Sequence, residues 1–221
     1  MTVRLAIFDC DGTLMDSQAN IIAAMDACFD MNSLPPPPAH STRRVVGLSL
    51  PEAMAMLLPE AETDFHGKLA EDYKTCFKRM RADETLAHEP LYEGTLDALD
   101  ALEAKGWLLG IATGKSDRGL DHALEFHGIR DRFVTLQTAD RHASKPHPSM
   151  LDQAMRDAGA MPEDSVMIGD TVFDMEMARN ARVRALGVAW GYHGPEELTD
   201  AGAETVLDDY PELTAYLTRH D

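Results

Sequence analysis

The chain has 221 residues, 44% of them hydrophobic, enough to bury a core of ordinary domain size without help from disulfides. Its 38 acidic and 20 basic residues give a formal charge of −18, which repels nucleic-acid backbones and anionic bilayers and removes both from the expected partners. The same charge opposes an anionic small molecule at long range, so any phosphate ester bound here needs a local cation, either a metal ion or a well-placed lysine.

The first β-type run covers residues 3–8 and ends at Asp9. It is too short for a signal peptide or a membrane span, and three cysteines (Cys10, Cys28, Cys76) cannot all pair. A reducing cytoplasm is the expected setting. From residue 16 to residue 83 there is no strand pattern, only helical periodicity over 21–29, 53–58 and 69–80. The proline run 35–38 must be extended and predicts a stiff connector between helices. Near His88-Glu89-Pro90 the helical stretch is expected to stop, because proline disfavours helix in the residue before it.

Beyond that point strand and helix alternate. Strands are predicted over 107–112, 133–136, 166–168, 185–189 and 205–207, and helices over 96–102, 120–126, 150–158 and 172–181. This alternation predicts an α/β fold with a mainly parallel sheet flanked by helices, residues 1–15 and 88–221 forming the core and 16–87 a helical insert. In such sheets ligands gather at the carboxyl ends of the strands, where the polar residues of this chain recur. The thirteen methionines are scattered and read as core filling.

Four of those strand ends carry chemistry. In Asp9-Cys10-Asp11-Gly12, residues i and i+2 of a strand face one side, so Asp9 and Asp11 can share a pocket, while Gly12 permits a sharp turn and a close backbone approach to a ligand. Two neighbouring carboxylates push their pKa values apart, which suits one nucleophile and one proton carrier. Thr113 and the Gly114 amide, after the second strand, either donate to a phosphate oxygen or cap the next helix. Lys145 lies in Ser144-Lys145-Pro146-His147-Pro148; alone it would read as a solvated loop lysine, and His142 and His147 as loop surface. Asp170 ends a strand and Asp174 follows in the first helical turn, an all-oxygen pair suited to magnesium, although Thr171 and Asp174 also have capping-box spacing.

In this order the four elements resemble the motifs of the haloacid dehalogenase superfamily, over residues 1–14 and from about residue 90 to residue 207. The resemblance implies a Rossmann-like core with an inserted helical cap, as in the subgroup of phosphoglycolate phosphatases and β-phosphoglucomutases. It implies Asp9 as nucleophile and Asp11 as general acid and base, with Thr113 and Lys145 orienting the phosphate. Asp170 becomes a Mg²⁺ ligand, with Asp9 and the Asp11 carbonyl also on the metal and Asp174 either a ligand or only a cap. Gly12, Thr13 and Gly114 would line the phosphate. The stretch 43–50, Arg44 and Gly47 within it, is similar to a substrate-facing part of those caps. Asp11 favours phosphate esters over halides, since an alkoxide needs a proton to leave. The expected partner is a small phosphorylated metabolite, with the protein a monomer or a homodimer. A phosphomutase shares every core motif. A phospho-accepting receiver domain is a poorer match because its aspartate lies on a middle strand, and a fold kept only for binding is disfavoured by the presence of all the reactive groups.

Overall fold

The computed structural model describes residues 2–219; Met1, at the start of the matched segment, and the last two positions of the expected core lie outside the described residues. Among them are six strands: β1 (Arg4–Phe8), β2 (Trp107–Thr113), β3 (Phe133–Thr138), β4 (Ser165–Gly169), β5 (Arg184–Val188) and β6 (Thr205–Leu207). They form one sheet in the order β3-β2-β1-β4-β5-β6, and every pairing is parallel. The chain lays down β1, β2 and β3 on one side, then returns to place β4 against the other edge of β1. The order therefore reverses at β1, where a crevice opens at the carboxyl ends of the strands.

Both faces of the sheet are covered, so its central strands are apolar on both sides rather than alternating. Ala6 and Phe8 of β1 point to one cluster with Ile111, Ile168, Leu99 and Leu213; Leu5 and Ile7 point to the other with Met150, Met167, Met175 and Leu198. The first cluster is closed by α5 (Thr95–Ala104), α6 (Asp117–Phe126) and α10 (Tyr210–Thr218). The second is closed by α7 (Ser149–Ala158), α8 (Val172–Ala181) and α9 (Pro195–Ala201). Full burial of a side chain such as Phe8 stabilises by about 1.5–3 kcal/mol. Apolar periodicity does not predict α9 or α10: α9 buries one residue, Leu198, and α10 carries Pro211 in its first turn.

Between β1 and α5 lie α1 (Gln18–Met31), α2 (Ala39–Arg43), α3 (Leu50–Leu57) and α4 (Thr63–Ala82). They hold a separate apolar cluster of Met25, Cys28, Phe29, Met54, Leu69, Tyr73 and Cys76. The three cysteines are buried free thiols. The insert leaves and rejoins the core side by side. Asp16 donates its N–H to the Pro90 carbonyl at 2.9 Å, and Tyr92 donates to the Leu14 carbonyl at 3.1 Å. The Asn20 side chain ties α1 to the returning segment, giving to the Ala87 carbonyl at 2.9 Å and receiving from the Ala87 N–H at 2.7 Å. No helix among the described residues is long and apolar enough to cross a membrane.

Candidate active site

Asp9 is the first residue after β1, and its N–H still bonds to the Ile168 carbonyl of β4 at 2.9 Å. The register fixes its neighbours: Phe8 pairs with Ile111 on one side and Ile168 on the other, so Thr113 and Asp170 end adjacent strands beside it. Asp9, Thr113, Lys145, Asp170 and Asp174 are each at most 1% exposed. A lysine next to a proline reads in sequence as solvated, yet Lys145 is one of the largest fully buried side chains.

The burial is sustained by charge. Lys145 Nζ lies 2.6 Å from Asp174 Oδ1 and 2.9 Å from Asp9 Oδ1. Burial alone would strip its proton, but Asp174 and Asp9 outweigh that and hold the ammonium above its ordinary range. Its contact with Asp9 falls outside hydrogen-bond alignment, and both Asp9 carboxylate oxygens are buried with no hydrogen bond. Burial pushes Asp9 up to about 7, against the pull of Lys145 and with help from Asp174 and Asp11. Asp170 is driven well above the carboxylate range, by burial first and then by Asp9 and Asp174.

Asp170 and Asp174 are held differently. Thr13 donates to Asp170 Oδ1 at 2.8 Å and the Tyr192 N–H donates to Oδ2 at 2.9 Å. Thr13 is itself anchored through its carbonyl, which receives the Trp190 indole N–H at 3.0 Å and the Tyr210 hydroxyl at 2.9 Å. Asp174 Oδ2 receives both the N–H (3.0 Å) and the hydroxyl (2.7 Å) of Thr171, so it caps α8 while Oδ1 holds Lys145. Gly12 has φ +82° and lies so close to Asp170 that a Cβ there would meet Oδ2 at 2.3 Å. No other residue lets this loop pass.

Asp9, Asp170 and Asp174 bring ligand oxygens within 4.8 Å of one another. Three carboxylates against one ammonium leave a buried formal charge of −2 when ionised, and Asp9's share is offset by the Lys145 ion pair without an aligned hydrogen bond. An all-oxygen, net-negative, under-satisfied cluster fits a hard divalent cation such as Mg²⁺. Asp9 has the coordination to spare; both oxygens of Asp170 and both of Asp174 already accept hydrogen bonds.

Asp11 stands apart from that trio. Its Oδ1 accepts from the Ser17 hydroxyl and lies 2.8 Å from Lys115 Nζ. Thr113 does not cap the helix after it: Ser116 does, accepting from the Gly119 N–H at 3.2 Å. Thr113 Oγ1 instead accepts from the Lys115 N–H at 3.2 Å, which leaves its hydroxyl hydrogen for another acceptor.

The insert reaches the site through its 44–49 loop. A Cβ on Gly114 would lie 2.6 Å from the Leu48 carbonyl oxygen and 2.8 Å from that of Gly47, so the insert backbone rests on the core there. Ser49 N–H donates to Ser144 Oγ at 2.8 Å, next to Lys145. The Arg44 guanidinium is turned to the rim, paired with Glu197 at 2.7 Å, and the Arg44 carbonyl lies 3.3 Å from His193 Nε2. Ser17, Lys115, Ser144, Tyr192 and His193 were not evident as site residues from the sequence. Only Lys115 carried a signal, as a cation two positions beyond Thr113.

A parallel sheet reversing at β1, with acidic groups and a buried lysine at its carboxyl edge, defines a class of α/β enzyme whose chemistry sits in the crevice. Residues 6–188 match the family model described as haloacid dehalogenase-like hydrolase, and the chain belongs to that family. It is 32% identical over 213 residues to the "Probable phosphatase IndB" of Dickeya dadantii, covering 95% of this chain and 91% of that one. With a phosphoglycolate phosphatase of Agrobacterium fabrum it shares 30% identity, covering 96% and 91%. Among solved structures, a hydrolase from Pseudomonas syringae superposes with a TM-score of 0.85 at 25% identity, covering 100% of this chain and 99% of that one.

Proposed function

We propose that the protein is a Mg²⁺-dependent phosphatase of small phosphate monoesters, working through an aspartyl-phosphate on Asp9. The observation that carries this reading is the Asp9 carboxylate: fully buried, without a hydrogen bond, and 2.9 Å from Lys145 at the reversal point of the sheet. A carboxylate without aligned hydrogen bonds keeps lone pairs for attack. The names of the relatives, phosphatases among them, support the same reaction class.

Asp9 attacks phosphorus in line, forming the Oδ–P bond as the P–O bond to the alcohol breaks. Asp11 gives its proton to the departing oxygen. Asp11 then takes a proton from water, whose oxygen attacks the same phosphorus, and the Oδ–P bond breaks to free Asp9 and inorganic phosphate. Lys145, the Thr113 hydroxyl and the Gly12 and Gly114 amides face the phosphoryl oxygens and offset their charge. Asp9, Asp170 and the Asp11 carbonyl would hold Mg²⁺, which when bound would supply further charge stabilisation. The helical insert acts as a cap: its loop rests on Gly114 and beside Ser144, where it keeps bulk water from the aspartyl-phosphate. Residues 16–87 then form that cap and the remainder the catalytic core.

The test is phosphate release from a panel of small monoesters with and without Mg²⁺. Asp9→Asn is expected to abolish turnover, and hydride reduction of the working enzyme to convert position 9 to homoserine. Full activity of Asp9→Asn would refute the nucleophile.

A further inference from the structure

Between β5 and α9 the chain reads Trp190-Gly191-Tyr192-His193-Gly194, three ring side chains set between and beside two glycines. The loop lies directly on Asp170: a Cβ on Gly191 would meet Asp170 Cβ at 2.1 Å. Tyr192 donates its N–H to Asp170 Oδ2 at 2.9 Å, and His193 donates its own to the Asp170 carbonyl at 3.2 Å. One short segment thus holds Asp170 by side chain and by backbone.

The His193 ring is buried and held at both nitrogens. Nδ1 accepts the Val172 N–H at 3.2 Å, one of the donors at the start of α8 that has no partner within the helix. A neutral imidazole that accepts at Nδ1 carries its hydrogen on Nε2, which lies 3.3 Å from the Arg44 carbonyl of the insert. Phe173 stands edge-on to the same ring, 5.7 Å between centroids, and packs against the insert cluster of Val45, Leu48 and Ala53. The other Arg44 contact, its guanidinium on Glu197, is exposed and contributes little. The insert therefore meets this end of α8 chiefly through buried groups, and His193 joins them to Asp170.

We propose that His193 is a positioning residue that ties closure of the insert to divalent-cation binding at Asp170, so that each strengthens the other. With the insert seated, both ring nitrogens are anchored, and the 190–194 loop keeps its two donors fixed on Asp170. With the insert raised, Nε2 loses the Arg44 carbonyl, the ring keeps one anchor, and those donors are less constrained. A carboxylate already held in place binds a cation better than one that must first be ordered, so the cation prefers the closed form. By reciprocity the bound cation favours closure by the same factor. This coupling rests on the Mg²⁺ reading and extends it from the reacting atoms to the movement of the cap.

The test needs no substrate. Mg²⁺ is titrated by calorimetry into wild type, His193→Asn and Val45→Ala, and hydrogen–deuterium exchange of the 43–50 segment is followed without the ion and at saturation. That segment carries the Ser49 N–H bonded across to Ser144, so its exchange reports opening of the insert. His193→Asn puts an amide oxygen where Nδ1 stands and keeps the Val172 N–H satisfied, but it is too short to reach Arg44. Val45→Ala loosens the insert on Phe173 and leaves every donor to Asp170 in place. In wild type, saturating Mg²⁺ should slow exchange roughly 5- to 30-fold. Val45→Ala should exchange faster yet still be slowed by the ion. His193→Asn should lose most of the slowing and bind Mg²⁺ more weakly by up to a similar factor. Equal slowing in wild type and His193→Asn would overturn the proposal and leave His193 as a cap on α8. Wild type that binds Mg²⁺ with no change in exchange would overturn it too, whether or not the variants fold. Absence of Mg²⁺ binding by wild type would instead overturn the Mg²⁺ reading itself.

Discussion

Asp174 holds Lys145 at 2.6 Å with one carboxylate oxygen while its other oxygen caps α8, so a helix start fixes where the ammonium stands against Asp9. The two roles that capping-box spacing and metal-ligand spacing set against each other are carried by different atoms of one side chain.

Asp174→Asn keeps the size of the group but removes the anion that anchors Lys145. Activity should fall roughly 10- to 100-fold, as for other residues that orient reacting groups from behind, with the fold retained by circular dichroism. Lys145→Met is harsher. It leaves Asp9 and Asp174 buried without their cation and should destabilise by about 3–5 kcal/mol in urea unfolding.

Metal-free protein should lose stability as pH rises. The Asp9 carboxyl is pushed up to about 7 when folded, so its contribution is fully present below its unfolded value near 4 and is lost as pH climbs through about 7. Asp9→Asn cannot ionise. In EDTA it should gain on wild type between about pH 4 and pH 7.5, by at most about 4 kcal/mol. Urea melts at the two ends of that range decide it, and a constant gap would count against the burial argument.

Mg²⁺ should stabilise wild type by binding the folded acidic trio. At a hundredfold excess over Kd the gain is about 2.7 kcal/mol, or roughly 5–10 °C in Tm for a chain of this size. Asp9→Asn and Asp170→Asn should each abolish most of that shift. An undiminished shift in both would move the metal elsewhere.

Gly114 is constrained by contact rather than by backbone angle, since its φ is not in the left-handed region. Gly114→Ala would therefore meet no backbone-angle strain, but its methyl group would clash with the Leu48 and Gly47 carbonyls and lift the insert. We expect kcat/KM to drop about tenfold or more with Tm nearly unchanged, measured by steady-state kinetics beside a thermal melt.

The sheet was legible from sequence because its strands are short apolar runs ending in turn residues, a pattern that both-face burial imposes. Strand ends at Asp9, Thr113 and Asp170 were legible for the same reason. What sequence could not supply was the third dimension of the loops. Taken alone Lys145 reads as a solvated lysine, singled out only by the family resemblance, because nothing local shows that Asp174, 29 residues later, will receive it. Arg44 reads as a candidate substrate ligand, but its partner Glu197 lies on a helix without an apolar stripe to announce it. Ser17 and Lys115 converge on Asp11 from two different connections, and only the folded topology brings those together.

The paired crossings at Asp16–Pro90 and Leu14–Tyr92 have a consequence for how such a chain can diversify. Seen from the sheet, everything between them is one long excursion whose ends are already stitched. The entropy of closing such a loop grows only with the logarithm of its length, about 0.6 kcal/mol per doubling. Lineages can therefore lengthen, shorten or reshape the excursion at little energetic penalty, trading one chamber for another above an unchanged set of reacting atoms.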